Sequence, residues 1–334
     1  MDNQNTTITL DDRIRKDLED LYNSGILKFI EQFKNCKIKE AEELSMNLFG
    51  TPNEISTHGL PGYYAGKRDV KTVMVMLNPG VDSTSHDNPF VTEETLKKQG
   101  IMTGTIDDFF NSYKDGSKNY GDIDLVDKGK EKGKIRIDNF DIKQAAFLKA
   151  WVGSGVSIPD GFPDRLKELE KEDRDELLRK AKRNVLMQKL QLDLIPYASR
   201  EFKKVEKGKM HFLFPYIDSI FGEIFSCERN YVIFCSDFFD TLFRMYSDDK
   251  EYTGSIEFGD KKDMVLFQKD NKKDRKAYCT PIKITYNKGK AMTSIHAVIA
   301  HTFPNKALPN AYDKMKEYGE FCFKCYNDYK NLNP

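Results

Sequence analysis

The stretch VMVMLNPG, residues 73–80, is apolar through Leu77 and then breaks into Asn78-Pro79-Gly80. An unbroken apolar run of this length, ended by a turn signal, reads as a strand buried on both faces. Such strands belong to parallel sheets, which require partners of the same kind. Three more segments qualify: LQLDLI (190–195), YVIFC (231–235) and HAVIA (296–300), alongside TVMVML (72–77). Helical patterns lie before or between them, so the sequence predicts an α/β fold. The expected form is a three-layer α/β/α arrangement with a central four-stranded, mainly parallel sheet, plus insertions.

The helix candidates are residues 10–33, 163–190, 215–227, 236–246 and 312–332. In the second, Pro163 of PDRL stands at the expected helix start, where a missing N–H costs nothing. Residues 111–139 are polar and rich in Gly and Lys, with no helical period, and read as an ordered excursion or a loop. Residues 248–288 hold DMVLFQKD and TPIKITYN around NKKDRKAY, a β-hairpin pattern with a basic tip. The chain is therefore expected to form one domain over residues 1–334, with insertions at about 97–185 and 248–290.

The 334 residues carry 53 Lys plus Arg and 53 Asp plus Glu, so the net charge is zero. No whole-molecule field steers this chain onto DNA or an anionic membrane, which leaves only local patches for that purpose. No apolar run approaches the length of a membrane span, and the amino terminus lacks a basic start followed by an apolar stretch. A cytoplasmic, monomeric protein without a membrane partner is expected. Of the six cysteines, only Cys322 and Cys325, in CFKC, are close in sequence. Neither a second pair nor matching histidines lie nearby, so reduced thiols are expected and no metal. The Gly-x-Gly of VGSGVSIP (152–159) follows no strand and lacks a third glycine, which removes a dinucleotide site. No cofactor is expected.

Ligands of parallel α/β sheets sit outside the carboxyl ends of the strands. The first strand delivers Asn78 there, the second Asp193, the third Ser236 and Asp237, the fourth His301. Each has an ordinary structural use: Asn-Pro-Gly is a good turn, and a histidine ending a strand can bond to backbone. An amide, a carboxylate and an imidazole on one sheet edge together make a site the better reading.

The motifs LNPG and NPF, with Phe90 twelve residues after Asn78, resemble the first motif of the uracil-DNA glycosylase superfamily. The nearest branches are the mismatch-specific and the single-strand-selective monofunctional enzymes. HTFPNKALPN is similar to their last motif, keeping His301, Pro304 and Asn310 but carrying Thr302 and Phe303 instead of Pro-Ser. LQLDLIPYA resembles the middle motif, a strand ending in the base-reading residue. The resemblance covers the four strands and their tips, and the insertions match nothing in that family. It implies a base-excising enzyme acting on DNA. Asn78, with Pro79 and Gly80, would position the attacking water, Phe90 would stack on the flipped base, and His301 would donate to its O2. Leu308 would wedge into the duplex, Lys306 would touch phosphate and Asn305 would lie beside them. Asp82, Ser83 and His86 fall between the two parts of the first motif, where one of them could line the pocket.

The chain departs from the family where the uracil readers carry Asn and it carries Asp193. A carboxylate has no donor for uracil O4, whereas it accepts well from cytosine N4. Burial raises the pKa of such a group, and a protonated Asp193 would also match cytosine N3. The expected substrate is therefore a cytosine-type base, modified as in phage DNA, since attack on plain cytosine would damage the host. Antiviral defence follows as the expected setting. The alternatives are a hydrolase of free nucleosides or nucleotides with the same fold, or a module that binds modified bases without cutting.

Overall fold

The computed structural model describes residues 8–23, 38–52, 54–55, 60–78, 105–118, 126, 132–199, 203–249, 254–269, 272–288, 291–303 and 312–333. The elements, in chain order, are α1 (Leu10–Asn23), α2 (Lys39–Phe49), β1 (Tyr64–Ala65), β2 (Thr72–Met76), α3 (Ile106–Lys118), α4 (Asn139–Leu148), α5 (Lys171–Gln188) and β3 (Leu190–Asp193). A 3-10 turn over Lys207–Leu213 leads into α6 (Phe214–Ile224), β4 (Tyr231–Phe234), α7 (Phe238–Asp248), β5 (Gly254–Phe258), β6 (Lys262–Lys269), β7 (Lys272–Lys288), β8 (Ala291–Ala300) and α8 (Tyr312–Leu332).

The protein is α/β with a mixed sheet of eight strands, ordered β1-β3-β2-β4-β8-β7-β5, with β6 also pairing β7. Within it β3, β2, β4 and β8 are adjacent and parallel, Val73 lying beside Leu190 and Val232, and Phe234 beside Ile299. These are the four segments expected to be strands, and every residue of β2 is buried. From β2 the chain runs to β3 on one side and later to β4 on the other. The order thus reverses between β2 and β4, the position where open α/β sheets bind ligands.

The expectation of a four-stranded, mainly parallel sheet is corrected: β1, β5, β6 and β7 add antiparallel pairings. Within residues 248–288 the expected hairpin is present, β6 pairing antiparallel with β7 from Lys262–Cys279 to Lys269–Lys272, but β7 continues beyond it into the main sheet. β7 pairs with β8 from Cys279–Ala300 to Lys288–Ala291. The reason lies in its side chains: Ala277 and Cys279 are buried on one face of the sheet, and Ile282, Ile284 and Tyr286 on the other. A strand apolar on both faces is stable only inside a sheet.

Alternation along the strands divides the core in two. Val73, Val75, Leu192, Phe234 and Ile299 face a cluster that includes residues of α1, α2, α6 and α7. Met74, Met76, Cys235 and Ala300 face the cluster containing α4, α5 and α8. Helix α4 runs opposite to the strands. Its amino end is capped by Asp138, whose carboxylate accepts from Asp141 N at 3.0 Å. Its carboxyl end leads to the buried Trp151, which packs edge-on against Tyr231 at the start of β4. The amino end of α4 therefore lies at the edge where the parallel strands finish.

Two glycines permit close approaches. A Cβ at Gly66, where φ is +99°, would stand 2.1 Å from the Lys189 carbonyl oxygen. One at Gly319 of α8 would stand 2.0 Å from the carbonyl oxygen of Phe147 in α4.

Two local expectations fail. Pro163 does not open a helix: residues 160–169 form turns, and α5 starts at Lys171. Of residues 111–139, read as an ordered excursion or a loop, 111–118 close helix α3, whose Phe109 and Tyr113 are buried. Apolar side chains one turn apart overrode a sequence dominated by Lys, Gly and Ser. Of the helix expected over residues 10–33, Leu10–Asn23 is helical, and the remainder lies outside the described residues.

Candidate active site

The parallel register of β3, β2, β4 and β8 carries Asp193, Asn78, Ser236 with Asp237, and His301 to one edge of the sheet. Backbone bonds lock the edge: Leu194 N donates to Met76 O at 2.9 Å, Cys235 N to Val75 O at 2.8 Å, and Asp237 N to His301 O at 3.1 Å. Pro79, Gly80, Phe90, Asn305, Lys306 and Leu308, together with Asp82, Ser83 and His86, lie outside the described residues.

Asn78 Nδ2 donates to Ser199 Oγ at 2.7 Å, which fixes the way the amide faces. The hydroxyl of Ser199 was not anticipated from the sequence. It follows the β3 tip, six residues beyond Asp193, and nothing in its neighbourhood signals the contact.

Asp193 is 6% exposed. Its Oδ2 accepts from Gln191 Nε2 at 3.4 Å, while Oδ1 is buried without a hydrogen-bond partner among the described residues. Burial pushes its carboxyl up to about 7, against the opposing pull of the Gln191 hydrogen bond and the Lys189 charge. A carboxyl in this state exchanges its proton near neutrality. It can therefore both donate to and accept from a ligand.

His301 is also 6% exposed. Its Nε2 lies 2.7 Å from Thr280 Oγ1, and its Nδ1 is buried without a partner among the described residues. Burial, then the charge of Lys261, holds the imidazole down to about 4, so it is neutral at physiological pH. When the Thr280 hydroxyl donates to Nε2, the proton resides on Nδ1 and that nitrogen becomes a donor. A neutral imidazole donates a hydrogen bond to developing negative charge but is no strong acid, so His301 is not the proton source. Thr280 was missed in the sequence because TPIKITYN carries no sign that β7 lies beside the strand ending at His301.

The two tip residues occupy opposite faces. Asp193 is on the side of Cys235 and α4, and His301 is beside Thr280 and the charges of α7. With β3 and β8 three inter-strand spacings apart, their backbones are separated by about 14 Å. A ligand touching both must lie across the edge of the sheet rather than on one face.

A further buried carboxyl sits at the β3 end of the sheet. Asp17 of α1 is 1% exposed, and its Oδ2 accepts from Tyr63 and Tyr197 phenols, each at 2.8 Å. The backbone links it to the tip, since Tyr63 O accepts from Asp193 N at 3.2 Å. Within the stretch LDDRIRKDLEDL nothing local sets it apart from the other acidic residues.

Two surface hollows, of about 290 Å³ along Asp160–Lys180 and about 400 Å³ along Leu148–Ile158, have no strand-tip residue in their walls. The glycine-containing loop 152–155 lies at the amino end of the strands, with Thr72 Oγ1 donating to Ser154 O at 2.6 Å. Cys279 of β7 lies beside Cys322 and Cys325 of α8, a partner that sequence spacing could not reveal. Among the described residues no cluster of His, Cys, Asp and Glu is suited to hold a metal ion, and no helix is long and apolar enough to cross a membrane. No protein-family model, curated protein or solved structure matches this chain.

Proposed function

We propose that this protein is a monofunctional DNA glycosylase. It hydrolyses the N-glycosidic bond of a flipped-out, cytosine-type base, modified as in phage DNA, and leaves an abasic site. The observation that carries this reading is the common edge: strands that are distant in sequence place Asn78, Asp193 and His301 at the carboxyl ends of β2, β3 and β8. The unit β3-β2-β4-β8 is the part that a glycosylase-like fold would correspond to. The chain's neutral charge restricts DNA contact to local patches.

The chemistry follows from what each group can do. Breaking the bond gives the sugar oxocarbenium character and places negative charge on the base. Asn78, oriented by Ser199, holds a water for attack at C1′ through its side-chain carbonyl. His301, neutral, donates from Nδ1 to the base O2, where charge develops. Asp193 reads the N3–N4 edge and supplies the proton that a cytosine needs to leave, a task His301 cannot perform in its neutral form.

The test is release of bases from oligonucleotides carrying uracil, cytosine, hydroxymethylcytosine or glucosylated hydroxymethylcytosine, with abasic sites read by alkaline cleavage. Cleavage is expected at a modified cytosine, falling by about 100-fold or more in Asn78→Ala, the scale of losing one oriented polar group at the reacting centre. Cleavage at uracil alone would overturn the specificity. No abasic site on any of these DNAs would overturn the activity in favour of a nucleotide hydrolase or a base-binding module.

A further inference from the structure

Side chains at positions 189, 191 and 193 share one face of β3 and its lead-in, and they are hydrogen-bonded in series. Lys189 Nζ donates to Gln191 Oε1 at 3.0 Å, and Gln191 Nε2 donates to Asp193 Oδ2 at 3.4 Å. The Lys189 nitrogen keeps N–H donors as ammonium or as amine, and by donating to Oε1 it fixes the amide with oxygen toward Lys189 and nitrogen toward Asp193. Asp193 Oδ2 is thereby an acceptor. Any proton on this carboxyl sits on Oδ1, the buried oxygen without a partner among the described residues.

We propose that Lys189 and Gln191 are positioning residues: Lys189 and Asp193 hold one proton between them, and the Gln191 amide orients the carboxyl so that the proton is presented on Oδ1 to the edge of a cytosine-type base. This rests on the glycosylase reading above. Lys189 is fully buried, a position a lysine rarely takes without a partner. Ammonium with carboxylate, and amine with carboxylic acid, contain the same number of protons. Burial favours the second form, holding Lys189 down and Asp193 up. The other groups facing Lys189 are Asp141 of α4 and Cys235 at the end of β4. Lys182 of α5 is itself bound by Asp138 and Asp141.

The step balances. As the N-glycosidic bond breaks, its electron pair goes to the base, and the Asp193 Oδ1 proton passes to base N3. That transfer leaves Asp193 as a carboxylate beside a neutral Lys189 amine, with no proton between them. The water oxygen bonds to C1′, and the proton that water releases restores the pair.

The experiment follows the Asp193 carboxyl by ¹³C NMR titration of the protein labelled at aspartate Cγ, assigned with Asp193→Asn. Lys189→Met and Gln191→Met are compared with the unaltered chain, and the half-buried Gln191 provides the variant less dependent on core packing. The Lys189 charge and the Gln191 bond both favour the carboxylate. Each variant should therefore move the titration to higher pH by about one pH unit, a tenfold change in proton affinity. The alkaline limb of base release should move with it. An Asp193 that titrates in the ordinary carboxylate range, or that moves in neither variant, overturns the proposal whatever the DNA assay gives. A titration that moves as expected in a chain that releases no base upholds the proton sharing and removes only the glycosylase reading.

Discussion

Asp17 and Asp193 are both buried carboxyls toward the same end of one sheet, both pushed up to about 7 by burial, and both keep one oxygen without a partner among the described residues. Their surroundings separate them. Asp17 lies on the α1 face, where two phenols grip one oxygen at 2.8 Å each. Nearby, Arg13 bonds Glu40 and Ser219, and Tyr216 bonds Glu40, tying α1, α2 and α6 together. Asp193 lies on the other face, held by a single amide at 3.4 Å. The first is bound as an anchor is bound. The second is held by one long bond at one oxygen, a looser grip than the two phenols give Asp17, which suits a group that must exchange a proton. Burial and pKa alone would not have told them apart; the hydrogen bonds do.

The largest expected effect breaks the anchor. Asp17→Leu removes the shared acceptor of two buried phenols and leaves them facing each other at 3.5 Å, and urea unfolding should show a loss of about 3 kcal/mol. Asp193→Asn removes one weak bond and a desolvated acid, so its stability should stay within about 1 kcal/mol of the original. Its release of a cytosine-type base should instead fall by about 100-fold, or about 2.7 kcal/mol in the transition state. Equal destabilisation by the two substitutions would erase the distinction.

Much of this arrangement was legible in the sequence. β2, β4 and the end of β8 are apolar runs and β3 carries Leu190 and Leu192 in alternation with polar residues, and such strands in an α/β chain fix which residues reach the carboxyl edge. In the antiparallel half only the β6–β7 hairpin was legible; its joining to β8 and β5 was not, because Lys262–Lys288 mixes charge with apolar positions. The start of α5 was misplaced because Pro163 is an ordinary helix opener, yet here it belongs to a run of turns. The partners of the site were hidden for a different reason. Ser199 lies 121 residues from Asn78, and Asp17 lies 180 from Tyr197, so only tertiary packing joins them. Hydroxyl partners of this kind leave no local pattern.

The pH dependence of stability sharpens the comparison further. An acid whose folded pKa is raised binds its proton more tightly in the folded chain than in the unfolded one. Its contribution is therefore complete below the unfolded value near 3.8 and is lost as pH rises through about 7. Between these limits, Asp17→Asn should flatten the decline, because a neutral amide no longer titrates while its carbonyl still accepts from a phenol. Urea midpoints measured from pH 4 to 8 check this, and a slope unchanged by the substitution would mean that Asp17 stays ionised among its phenols throughout.

The smallest expected effect concerns the donor on the far side of the edge. Where the Thr280 hydroxyl donates to Nε2, His301 depends on it for the Nδ1–H tautomer as Asp193 depends on Gln191 for its orientation, but the neutral imidazole takes up no proton near neutrality. Thr280→Val keeps the shape and the β-branched side chain that suits a strand, and removes only the hydroxyl at 2.7 Å from Nε2. The imidazole is then free to place its proton on either nitrogen, and the fraction with Nδ1–H falls. Base release should decrease by about tenfold, the order seen when a group orienting a functional histidine is removed, with little change in stability. The pH profile should keep its alkaline limb, because that limb belongs to Asp193. Thr280→Ser retains the hydroxyl and should restore most of the rate. A Val variant whose alkaline limb moved would make His301 part of the proton exchange and collapse the division of labour between the two faces.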